Sequence, residues 1–112
     1  MIDNDTWGRD PQIRYMRGVF SAIEKAQKGF LETAGIAATD GRLRRFREIA
    51  LKLFERAWVS AMQKGLGGDE NSAAAIYIFC LAKVLSMRGI DVPRDSLPQD
   101  TRIKKLVDEA IS

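Results

Sequence analysis

Residues 72–87 read SAAAIYIFCLAKVLSM, a helix-length run with almost no polar face. A helix that is apolar all round must be buried nearly all round. The run therefore predicts a helical bundle with this segment at its centre, or a bundle completed by a second subunit. Its thinnest cover is the line Ala75, Ala82, Lys83 and Ser86. It is also too short for a bilayer, which takes about 20 apolar residues, and Lys83 interrupts it.

Working outward, the same periodicity predicts three more helices. The first opens at Asp10-Pro11, an N-cap followed by proline, and runs over about 10–34. Its seam is Ile13, Met16, Phe20, Ile23, Phe30 and Ala34, with Gln27 on the same line. Gly35 is placed to end it, while Gly18 and Gly29 weaken it locally or mark close helix contacts. The second spans about 40–64 with two stripes. One is Leu43, Phe46, Ala50, Leu53, Ala57 and Ala61; the other is Leu51, Phe54, Trp58 and Met62. Gly65-Leu66 then suits a Schellman ending. The apolar helix covers about 70–88, capped by Asp69 or Asn71 and stopped by Gly89. After the proline-containing connector 91–100, Ser96 and Gln99 resemble a capping box, which predicts a last helix over about 97–111. Its stripe is Ile103, Leu106, Val107, Ala110 and Ile111.

Strand-type alternation is missing throughout. The expected fold is all-α: an antiparallel bundle of three main helices plus a short C-terminal fourth, one domain over 1–112 with a leader over 1–9. Trp7 is expected to staple that leader to the first helix. The leader carries no charged-then-apolar signal pattern, and the expected setting is cytoplasmic, without membrane contact.

Composition removes several chemistries. The chain has no histidine, so the commonest general base and metal ligand is absent. Cys80 is the single cysteine and lies in the apolar run, which suits an inert buried thiol. Asp3, Asp5 and Gly8 imitate a calcium loop, but Arg14 stands where glutamate is required. Gly65 to Gly68 precede a helix as phosphate loops do, yet they lack the Lys-Ser/Thr pair. The spaced pairs Glu24/Glu32 and Glu48/Glu55 sit beside lysine or arginine on polar faces, as ordinary surface ion pairs do. No cofactor or metal and no enzymatic activity are expected.

The residues that ask for a role are basic. Arg42, Arg44, Arg45 and Arg47 open a helix, where the macrodipole disfavours cations by about 0.3–1 kcal/mol each. If the first three helices alternate direction, Lys25, Lys28, Lys83 and Arg88 gather near them as a basic pole. Asp3, Asp5, Asp10, Asp69 and Glu70 then lie near the other end. Such a pole suits an anion: nucleic-acid phosphates or an acidic protein surface. The plain alternative is a solvated face, since Glu32, Asp40, Glu48 and Asp91 are close in sequence and Glu48–Lys52 is a favourable pair.

Apolar excess points elsewhere. With two stripes on the second helix and an all-round apolar third, an isolated chain is expected to expose an apolar patch. The leading expectation is a non-enzymatic interaction or assembly subunit, associating with itself or another protein. The contact residues would be Leu51, Phe54, Trp58, Met62 and Phe79. The alternative is a nucleic-acid-binding module that contacts phosphates through Arg42–Arg47.

Overall fold

The computed structural model describes residues 11–111, with side chains from Tyr15 onward. It contains four α-helices: α1 (Pro11–Ala34), α2 (Leu43–Gln63), α3 (Glu70–Met87) and α4 (Thr101–Ile111). A single turn of 3-10 helix, Arg94–Ser96, precedes α4. The described residues hold no strand. The expectations placed on Asp3, Asp5, Trp7, Asp10 and the Ile13 side chain lie outside the described residues.

Helix α3 is the middle of the bundle. It packs against α1, α2 and α4, and eleven of its 18 residues are buried. Ile76, Leu81 and Leu85 are completely covered; each contributes about 1.5–3 kcal/mol by leaving water. Buried side chains from all four helices form one continuous cluster. Of the two alternatives, the chain itself supplies the cover for α3, as the centre of its own bundle. Lys83, Ser86 and Met87 are the exposed residues of its second half.

The directions alternate. Tyr15 near the start of α1 stacks on Trp58 near the end of α2, with ring centroids 6.1 Å apart. Gly18 of α1 lies under Glu70, where an added Cβ would collide with the Glu70 carboxylate, and Gln27 further along α1 reaches Tyr77. Helices α1 and α3 therefore run the same way, with α2 against them. Phe54 and Trp58 stack at 5.3 Å, and Phe54 meets Tyr77 edge-on at 6.2 Å. This row of rings, Tyr15–Trp58–Phe54–Tyr77, ties α1, α2 and α3 together.

The expected seam of α1 holds at Ile23, Gln27 and Phe30 and fails at Phe20. Val19 is fully buried, whereas Phe20 is 50% exposed. The two are neighbours, about 100° apart around a helix, so they cannot both point at α3. The buried line is Val19, Ile23, Gln27, Phe30 and Leu31. Of the two glycines, only Gly18 marks a close approach; nothing lies near Gly29.

Helix ends follow local chemistry. Gly65 has φ +71°, its N–H donates to the Met62 carbonyl, and the Leu66 N–H donates to that of Ala61. That is the Schellman pattern. The same pair of bonds recurs at Gly35-Ile36 and Gly89-Ile90. Each time the apolar residue after the glycine packs against the core. Asp69, not Asn71, caps α3 by accepting from the Ser72 N–H and hydroxyl.

Helix α4 starts at Thr101, later than the expected 97. The Ser96 hydroxyl donates to the Pro93 carbonyl instead of capping a helix. Leu97 precedes Pro98 and is extended, because the proline ring disfavours helical geometry in the residue before it. Asp100 is the working cap, accepting from the Arg102 and Ile103 N–H groups. Ile103, Leu106 and Val107 are buried against α2 and α3 of the same chain, and Lys64 pairs with Glu109 at 3.4 Å.

Candidate functional site

Two regions compete for a role: the basic end of the bundle and the exposed apolar side chains. The basic end follows from the alternation of directions. The start of α2 lies at the ends of α1 and α3, which brings Arg42, Arg44, Arg45 and Arg47 toward the end that holds Lys83 and Arg88. Lys25 and Lys28 flank Gln27, whose partner Tyr77 meets Phe54 halfway along α2, so they lie nearer the middle of the bundle. Asp69 and Glu70, at the start of α3, lie toward the opposite end.

The four arginines do not form one patch. Successive helical residues are about 100° apart, so these side chains spread around α2. Arg42 is held by Asp40, whose carboxylate accepts from the Arg42 N–H at 3.0 Å, from Nε at 3.2 Å and from Nη2 at 2.9 Å. The guanidinium holds the Asp40 carboxyl below its ordinary range, and the carboxylate raises Arg42 in turn. That acid also supplies negative charge where the helix dipole needs it. Arg44 sits 3.9 Å from Glu48, which pairs here and not with Lys52. Arg47 lies beside the Tyr77 hydroxyl; burial pushes that phenol up, and Arg47 partly offsets the shift. Arg45 is exposed and has no ion pair among the described residues. Lys25 and Lys28 are exposed on α1.

Lys83 and Arg88 have a distinct setting. They line a shallow groove with Ile49 and Leu53 of α2, Val84 and Met87 of α3, and Ile111 of α4. Its floor is aliphatic and its two polar residues are cations. The groove is not visible in the sequence, because Ile49, Val84 and Ile111 come together from three different helices.

The expected contact stripe is divided by the fold. Phe54 and Phe79 are 4% and 6% exposed and belong to the core, so they are corrected out of any interface. Trp58 is half-buried. Leu51 and Met62 are 38% and 51% exposed, and Val59, not anticipated, is 59% exposed. Around α2, Leu51, Val59 and Met62 fall within about 80° of one another, with Glu55 between them. Phe20 and Met87 are the other large exposed apolar side chains among the described residues.

The remaining chemistry is quiet. Burial pushes the Cys80 thiol up to about 12, which removes the thiolate at neutral pH. Glu24, Glu32, Glu48 and Glu55 are all exposed on helix surfaces. Tyr15 Oη and Trp58 Nε1 are buried atoms without a hydrogen-bond partner among the described residues. No group of three or more metal-ligating side chains occurs among the described residues, and none of their helices is long and apolar enough to cross a membrane. No family model, no curated protein and no solved structure matches this chain.

Proposed function

We propose that this chain is a non-enzymatic interaction subunit that associates with itself through the outer face of α2. The reading rests on Leu51, Val59 and Met62. In a chain that already closes its core without help, one face of one helix leaves these three side chains in water. Scattered apolar residues need no explanation, but a cluster on one helix face marks an interaction surface. Trp58, half-buried at its edge, adds the kind of aromatic that anchors interfaces.

Light scattering on a sizing column tests it. The expected result is a mass at a multiple of 12.5 kDa that falls to the single-chain value in Val59→Glu with Met62→Glu. Both positions are exposed, so the core is left intact. A single-chain mass at every concentration overturns the reading.

A second reading, contact with nucleic-acid phosphates, is favoured by Arg42–Arg47 at the end that holds Lys83 and Arg88, with Lys25 and Lys28 further back along α1. It expects binding to a short mixed-sequence RNA or DNA that weakens steeply with salt. It also expects the Arg44, Arg45 and Arg47 to Ala triple variant to lose affinity alike on all sequences. Retained affinity in that variant rules the site out.

A further inference from the structure

The groove between α2 and α3 is separate from the outer face of α2 and combines aliphatic side chains with cations. Ile49, Leu53, Val84 and Ile111 leave an aliphatic floor, and Lys83, Arg88 and Met87 complete the lining. Arg45, Lys52 and Arg56 lie one turn before, beside and one turn after the Ile49–Leu53 pair, on the flank of α2 next to it. None of these five cations makes an ion pair among the described residues. Two of the neighbouring acids are engaged elsewhere, Glu48 with Arg44 and Asp108 with Lys104, each at 3.9 Å; Asp91 and Glu55 are exposed and make no ion pair with the five cations among the described residues. Met87, at the mouth, is 74% exposed; a flexible thioether at a binding surface adapts to varied apolar partners.

We infer that this groove docks an acidic amphipathic helix of a partner protein, with apolar side chains on the floor and carboxylates against the cationic rim. The occupant is chosen by complementarity. Two helices side by side present a trough that a third helix fits, and the described residues contain no strand edge to extend. A nucleic acid would use the cations but not the floor, and no aromatic lines the groove on which a base could stack. Like-charge repulsion excludes basic helices, which gives selectivity as well as attraction.

The test uses a capped synthetic peptide of about four helical turns, with leucines at i, i+4 and i+7 and glutamates on both flanks. A second peptide carries lysine at every glutamate. Each is titrated into isotope-labelled full chain carrying Val59→Glu, which places a charge on the outer face of α2 and leaves the groove unchanged. Binding there reports on the groove whether or not the chain associates with itself. The expected result is saturable shifts of the Ile49, Leu53, Val84 and Met87 methyl groups with the acidic peptide only, weakening as salt rises. Lys83→Glu with Arg88→Glu should weaken it by about tenfold or more, and Met87→Ser by several-fold. Lys28→Glu, away from the groove on α1, should leave it unchanged. The inference is overturned by absence of saturable shifts, by equal binding of the lysine peptide, or by indifference to the double charge reversal. It is equally overturned if a short mixed-sequence RNA shifts the same methyl groups and displaces the acidic peptide.

Discussion

The Tyr77 hydroxyl donates a hydrogen bond to the side-chain carbonyl of Gln27, joining α3 to α1 inside the core. Gln27 is the one buried polar side chain among the described residues, and Tyr77 is 1% exposed. Deleting Tyr77 Oη removes the Gln27 carbonyl's partner, whereas deleting Gln27 leaves the Tyr77 hydroxyl with Arg47 beside it. Gln27→Leu and Tyr77→Phe should each cost about 1–3 kcal/mol. The double variant should cost less than their sum, because both groups leave together. Urea denaturation of the four proteins gives the coupling directly. Additive losses would mean the bond is unimportant.

Two glycines invite opposite outcomes. Gly29 is in mid-helix with nothing near its missing Cβ, so Gly29→Ala should stabilise by about 0.5–1 kcal/mol through helix propensity. Gly65 holds φ +71°, where a Cβ crowds the backbone, so Gly65→Ala should cost about 1–2 kcal/mol. Thermal melts of both variants check the signs.

Asp69 carries an acid-dependent part of stability. The Ser72 backbone N–H, and after it the Ser72 hydroxyl, lower its pKa in the folded chain. A depressed folded pKa means the contribution is present above the unfolded value, near 3.8, and is lost as pH falls through the folded value. Asp69→Ala should cost about 1 kcal/mol at neutral pH, the usual worth of an N-cap. Asp69→Asn should keep most of the cap and flatten the acid limb of a stability–pH curve. An unchanged acid limb in Asp69→Asn would refute the assignment.

Cys80 should be chemically silent while the chain is folded. Its thiol is fully buried and pushed up to about 12. A thiol reagent at pH 8 should label it only in denaturant, at a rate set by unfolding. Prompt labelling of the native chain would mean that the centre of α3 opens to solvent.

Most of this architecture was legible before any coordinates, and the errors have physical causes. The all-round apolarity of 72–87 announced its central place, and Gly65-Leu66 announced a helix ending that Gly35-Ile36 and Gly89-Ile90 repeat. Phe20 fits the helical spacing of the seam, and so does Val19; only the neighbouring helices decide which of the two faces inward. The start of α4 was misplaced because Ser96 and Gln99 satisfy a local pattern that Pro98 defeats one residue away. At the candidate sites, alternating directions put Lys83 and Arg88 at the end where α2 begins. The dispersal of the four arginines was also available from helical periodicity, which places adjacent residues on different faces. The groove was not legible, because it needs residues from α2, α3 and α4 to meet.

The central position of α3 makes the chain indivisible. Every other helix uses it as a wall, so no cut between helices leaves two parts that each retain a closed interior. Removing α4 alone would bare Phe79, Ala82 and the buried side of α2, and a fragment so exposed should aggregate before it unfolds. The amides of α3 should accordingly be the last to exchange with deuterated water, at a rate reporting loss of the entire fold.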